Sequence, residues 1–194
     1  MSEIETIESI VERVFNKLTA EGRTALVVFT GGASGFSESL SELRKMLQDG
    51  WHLKVAISTS AEYIFTPELI KEQLGISEVY LETQNTGLKP LYENASMLIL
   101  PTMTTNTVAK IACGITDTMT TNLVLQAISS DMVVIAATYS SDLTHIDRVE
   151  LGLDNYPNEY KKLFDNYLKT LEDFGIELVQ STDICKAVHK HTFS

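Results

Sequence analysis

The sequence predicts a three-layer α/β fold on a doubly wound, mostly parallel sheet of the Rossmann-like kind. Two observations carry that expectation. Short runs of Val, Ile, Leu and Ala alternate with segments whose apolar residues recur every three or four positions. That is the pattern of strands buried on both faces, with helices returning between them. The apolar runs also end in loops rich in Gly, Ser and Thr. In such sheets ligands bind outside the carboxyl ends of the strands, so these loops are the place to look for function.

Residues 3–20 read as an amphipathic helix, with Ile4, Ile7, Val11, Val14 and Leu18 on one face and Ser2 with Glu5 as a capping box. TALVVFT (24–30) is the first buried strand, broken by GGASG, and Leu40, Leu43 and Leu47 mark the next helix. LKVAIS (53–58) is a second strand, ahead of a turn and a helix around TPELIKEQLG. EVYLE (78–82) and SMLILP (96–101) follow as strands. The helix after the latter is expected to bury Val108, Ile111, Ala112 and Ile115, with Cys113 as a small core residue. MVVIAAT (132–138) is a strand that runs into a polar loop. NEYKKLFDNYLKTLEDFG is helical, IELV a last strand and DICKAVHKH a last helix, its HKH read as a solvated tail. No repeat or linker divides the chain, so 1–194 is read as one domain: an N-terminal helix (1–22), a core and a C-terminal helix–strand–helix (150–194).

Composition excludes several functions. Fifteen basic residues against 26 acidic ones give a net charge of −11, the wrong sign for nucleic acid, whose phosphates are bound largely by Lys and Arg. A small phosphorylated ligand stays open, held by amides at helix N-termini rather than by a basic surface. No apolar run reaches the roughly 18–20 residues of a membrane span. The acidic opening MSEIETIESIVERVF lacks the basic start of a secretory signal, so a cytoplasmic location is expected. Cys113 and Cys185 form no metal spacing and no disulfide framework.

Three loops hold the candidate chemistry. FTGGASGFSES (29–39) is either a tight turn or a place where backbone approaches a ligand. It lacks the Gly-Lys-Ser/Thr of a phosphate loop, and its glycine spacing fits the dinucleotide fingerprint poorly. In ISTSAEYIFTPE (57–68), Ser58, Thr59 and Ser60 suit helix capping or ligand contact. In LPTMTTNTVAK (100–110), Thr104, Thr105, Asn106 and Thr107 crowd one helix start where a cap needs a single residue. Asn106 adds two donors and an acceptor, suited to a polar ring edge.

TMTTNTVAKIACGITD resembles the Pro-Ala-Ser-Ala-Asn-Thr segment of the flavin-containing cysteine decarboxylases, and ASMLILPTMTTNTVAK lies over that family's strand and motif without a gap. The chain is also similar to the flavin prenyltransferases, whose Gly-Ala-Ser-Gly opening matches Gly32, Ala33, Ser34 and Gly35. The dipicolinate synthase B subunit, another flavoprotein, has a Gly-Asn-Thr motif that fits TTNTVAK. The likeness covers most of residues 24–145 in order: the glycine loop, the Ser58 loop, the hydroxyl-Asn loop, then ACGITD with Asp117. It implies a flavoprotein-type fold that binds FMN as a homo-oligomer, a trimer or a multiple of trimers. By that likeness Gly32, Ala33, Ser34 and Ser58 hold the phosphate, and Thr104, Thr105, Asn106 and Thr107 lie along the ribityl chain and ring.

The substrate half departs from the pattern. Leu88 stands where the decarboxylases carry an active-site His, and leucine cannot move a proton. The decarboxylases' Pro-Ala-Met-Asn clamp is missing from IAATYSSDLTH. Tyr139 and Ser140 replace the prenyltransferases' Arg-Glu pair, which removes a phosphate-binding cation. Tyr139, Ser140, Asp142 and His145 remain as substrate-side candidates, against the reading that they form an ordinary polar surface loop. The sequence-level expectation is an FMN-binding protein with altered substrate chemistry. The alternatives are a non-catalytic flavin-binding partner subunit and a Rossmann-like protein for another phosphorylated ligand.

Overall fold

The computed structural model describes residues 23–84, 87–152 and 154–192. The helix expected at 3–20 lies outside them. Six parallel strands, β1 (Thr24–Phe29), β2 (His52–Ile57), β3 (Tyr80–Leu81), β4 (Met97–Leu100), β5 (Val133–Ala137) and β6 (Ile176–Val179), form one sheet in the order β3-β2-β1-β4-β5-β6. The chain winds outward in both directions from β1 and β4. Their junction is the switch point, where crossovers leave on opposite faces and a crevice opens between the loops.

Alternation along each central strand divides the core into two layers. Ala25, Val27 and Phe29 of β1, with Ile99 of β4, pack on one face against α1 (Phe36–Gln48) and α9 (Ile184–Thr192). Leu26, Val28, Leu98 and Leu100 pack on the other against α5 (Thr105–Ala112), α6 (Met119–Ser129) and α8 (Asn158–Asp173). All six residues of β1 are buried, which is why the run reads as continuously apolar rather than alternating.

The remaining helices are short: α2 (Thr59–Glu62), α3 (Pro67–Leu74), α4 (Lys89–Tyr92) and α7 (Ile146–Glu150). The third strand keeps only two residues of EVYLE and sits at the sheet edge. The helix expected to run past Ile115 stops at Cys113, turns through Gly114 at φ 68°, and restarts at Met119. Ile115 is therefore half exposed and Cys113 exposed, not core. The C-terminal segment supplies the sixth strand and the helix α9 beside α1.

Candidate functional site

The three Gly/Ser/Thr loops leave the carboxyl ends of β1, β2 and β4, three neighbouring strands. The paired ladder between β1 and β4 ends at Val27 and Ile99. Beyond it the two chains are joined by a side-chain clasp. The Thr102 hydroxyl accepts from the Thr30 amide at 3.1 Å and donates to the Thr30 carbonyl at 2.9 Å. The Thr30 hydroxyl donates in turn to the Thr102 carbonyl and accepts from the Thr104 amide at 3.2 Å. Thr102 is fully buried, so the first hydroxyl of the run belongs to the fold.

The glycines are required by protein packing. A Cβ on Gly32 would meet Ser140 Oγ at 2.3 Å and its Cβ at 2.4 Å. One on Gly31 would touch the Cβ and carbonyl oxygen of Ser60 at 3.0 Å. Gly35, at φ 76°, lies against Ser181 and Tyr139. The bare loop thus lets the second loop and the loop after β5 close onto it. Ser140 Oγ donates to the Ser34 carbonyl at 2.7 Å. Ser39 Oγ donates to the Pro101 carbonyl, also at 2.7 Å, tying α1 to the end of β4.

Many of the other hydroxyls are occupied. Ser58 is buried and caps α2, accepting from the Ala61 amide at 3.2 Å. Thr59 is held by Glu82, whose carboxylate accepts its amide at 2.7 Å and its hydroxyl at 3.0 Å and also takes the Met119 amide. Thr104 caps α5 through the Thr107 amide, and the two hydroxyls bond each other at 3.0 Å. Several polar side chains of these loops do not take part, Ser37 and Ser60 among them. Ser34, Thr105 and Asn106 make no side-chain hydrogen bond among the described residues, and Asn106 is exposed. Nor does a side chain cap α1. Its Phe36 amide reaches Ala33 and its Ser39 amide Gly35, while those of Ser37 and Glu38 find no acceptor among the described residues.

A cavity of about 320 Å³ opens here, lined by Gly31, Gly32, Ala33, Ser34, Thr104, Thr105, Ser140, Asp147, Arg148 and Leu151. The expected Gly32, Ala33, Ser34, Thr104, Thr105 and Ser140 therefore meet in one place. Ser58, Asn106, Thr107, Tyr139, Asp142 and His145 do not line it. Asp142 Oδ1 accepts the Thr144 amide and hydroxyl, each at 2.8 Å, a local turn. The His145 ring packs tilted against Tyr139, centroids 4.6 Å apart, and its Nδ1 accepts the Asp147 amide at 3.3 Å as the cap of α7. Leu88, in the place of the decarboxylase His, packs half-buried on the core beneath α4. Asp117 is exposed and pairs with Lys110 at 2.9 Å, whose hydrogen bond holds the carboxyl below its ordinary range.

Arg148 escaped the sequence reading. A cation was looked for at Tyr139 and Ser140, but α7 folds one back from eight residues later. Its guanidinium donates to the Ser140 carbonyl at 2.9 Å and to the Tyr156 hydroxyl at 3.2 Å. Two of its five donors are so used, and the rest remain for the cavity it lines. A basic residue in the first helix after the β5 loop was the available signal. The cavity thus offers an uncapped helix start nearby, one guanidinium and unengaged hydroxyls, a donor set suited to a phosphate on a polyhydroxyl chain.

No curated protein matches the sequence. Among solved structures, the FMN-dependent cysteine decarboxylase TvaF from thioviridamide biosynthesis superposes with a TM-score of 0.63 at 18% identity, covering 88% of this chain and 97% of that one. Burkholderia xenovorans DmrB in complex with FMN, described as a cubic protein cage for redox transfer, gives 0.66 at 20% identity, covering 88% and 94%. HAL3 from Cryptococcus neoformans gives 0.61 at 15%, covering 89% and 97%. At these identities the likeness establishes the shared fold. The Flavoprotein family model matches residues 14–150, well over half of the sequence, and the chain belongs to the flavoprotein family.

Proposed function

We propose that this protein binds FMN in the crevice between the loops of β1 and β4, and that its substrate chemistry differs from that of the cysteine decarboxylases. The observation that carries the reading is the convergence, on one cavity, of the uncapped α1 loop, unengaged hydroxyls and Arg148. The phosphate would sit on the amides that follow Gly32, Ala33 and Ser34, with Arg148 as counter-charge. Thr105 and Asn106 would serve the ribityl chain and ring edge. Thr104, Thr107 and Ser58 would act by fixing the helix starts. FMN would supply the redox or electron-accepting chemistry, and the chain supplies binding and orientation. The family and the FMN-linked neighbours TvaF and DmrB support this choice over another phosphorylated ligand.

Tyr63 and Ile64 of the second loop stand 88% and 44% exposed. These exposed apolar side chains support a homo-oligomer, a trimer or a multiple of trimers, as the working form. One observation favours a second reading. Leucine at 88 and the local engagement of Asp142 and His145 leave none of these expected positions as a free proton carrier, as in a flavin-binding partner subunit.

The test is a titration of the purified protein with FMN and with riboflavin, followed by quenching of flavin fluorescence. FMN should bind more tightly than riboflavin. Arg148→Ala should weaken FMN by about 10- to 100-fold, the worth of one charge-assisted hydrogen bond, and leave riboflavin nearly unchanged. Absence of FMN binding by the wild-type protein ends the proposal.

A further inference from the structure

At the opposite end of the sheet from the flavin crevice, three side chains from two helices converge. Asp49 is the C-terminal cap of α1, and Cys185 and His189 stand one turn apart on α9. Asp49 Oδ2 lies 3.0 Å from His189 Nε2 and 3.7 Å from Cys185 Sγ, and Sγ lies 3.9 Å from Nε2. We propose that Asp49, Cys185 and His189 form a zinc site that staples the C-terminal helix to α1, with water as the fourth ligand.

The distances carry the argument. Zinc binds thiolate sulfur at about 2.3 Å and imidazole nitrogen or carboxylate oxygen at about 2.0–2.1 Å in tetrahedral geometry. Tetrahedral angles then place nitrogen and oxygen roughly 3.3 Å apart, and sulfur roughly 3.5–3.6 Å from each. The observed edges depart from those values by a few tenths of an ångström, so a small side-chain adjustment suffices. The ligand types agree as well: sulfur, nitrogen and oxygen together suit zinc, whereas magnesium and calcium ask for oxygen alone. Cysteine and histidine four residues apart share one helix face, which fixes two ligands on a rigid element.

The surroundings fit a dication. Cys185 is buried, and its amide donates to Glu42 Oε2 at 3.1 Å, while Glu42 is itself buried and bonded to Lys45. Arg23 donates to the Asp49 carbonyl at 3.1 Å and holds that end of α1. Burial, then the charges of Asp49 and Glu42, push the Cys185 thiol up to about 11. His189 and Asp49 are each nearly half exposed, which leaves a path for the ion and room for a water. On binding, the thiol proton passes to solvent and sulfur bonds the metal. Because α1 spans 13 residues, the site lies roughly 20 Å from the α1 start, so its role is structural rather than catalytic.

Cobalt(II) serves as the probe. Full-length protein, stripped with chelator, should take up one equivalent of cobalt. It should then show the intense visible bands of tetrahedral cobalt and a near-ultraviolet thiolate-to-cobalt charge-transfer band, both lost on adding one equivalent of zinc. Cys185→Ser should abolish the charge-transfer band. His189→Gln, at a half-exposed position that folding tolerates, should weaken cobalt binding at least tenfold. His191→Gln, whose ring pairs with Glu177, should change nothing. Zinc should raise the thermal midpoint of the wild type but not of Cys185→Ser or His189→Gln. A wild-type protein without the charge-transfer band, one whose band survives Cys185→Ser, or one that loses it with His191→Gln would overturn the assignment.

Discussion

If the crevice holds FMN as proposed, Gly32→Ala should weaken FMN binding by about one to two orders of magnitude. The added methyl would sit 2.3 Å from Ser140 Oγ and 2.4 Å from its Cβ, neither of which real contacts allow. The far side offers no room, because the Thr102 carbonyl stands 3.0 Å away in the buried clasp. The β5 loop is the part that can yield, and its movement breaks the Ser140–Ser34 bond and shifts the carbonyl that anchors Arg148. Overpacking of this kind costs about 1–3 kcal/mol, and every 1.4 kcal/mol is about tenfold in binding. Flavin titration with urea unfolding of the same samples separates lost affinity from lost fold. Adding Ser140→Gly to the variant removes both close contacts and should restore much of the affinity. Failure of that rescue would mean that Gly32 is needed for the ligand's own approach and not for packing.

Thr102→Val should be the most destabilising of the conservative changes, by about 2–4 kcal/mol. Valine has the same shape, so no cavity forms and the effect reports hydrogen bonding. The Thr30 amide loses its acceptor in a fully buried place, while the Thr30 carbonyl keeps the Gly32 amide at 2.7 Å. One orphaned buried donor accounts for about 1–3 kcal/mol, and the second lost bond adds about 1 kcal/mol. Urea denaturation monitored by circular dichroism measures it, and an unchanged midpoint would show that Thr30 finds another partner. Thr105→Val, at a hydroxyl without a partner among the described residues, should leave the midpoint where it is and serves as the control.

The sheet was legible because each central strand is buried on both faces and so appears as an unbroken apolar run, as TALVVF and MLIL do. Edge elements were not. Tyr80–Leu81 has only two paired residues, and a strand that short leaves no periodicity to read. Ile115 keeps helical spacing with Ile111, yet the helix ends between them at a left-handed glycine. The crowding of hydroxyls marked the right loops but not their division of labour. Which threonine caps, which clasps and which stays unengaged is decided by partners such as Thr30, 72 residues from Thr102 in the chain. Arg148 and the Asp49–Cys185–His189 cluster share that cause: their members meet only once helices have packed.

The missing cap on α1 has a consequence for the lifetime of the polypeptide. Helices α2 and α5 are finished by their own serine or threonine, whereas this one leaves two amides without an acceptor among the described residues. If flavin completes it, the vitamin-derived nucleotide is a component of folding. At a hundredfold excess over Kd it would add about 2.7 kcal/mol, a large share of what holds an ordinary domain together. Cells short of riboflavin would then clear the chain sooner, and its abundance would follow the supply of its prosthetic group.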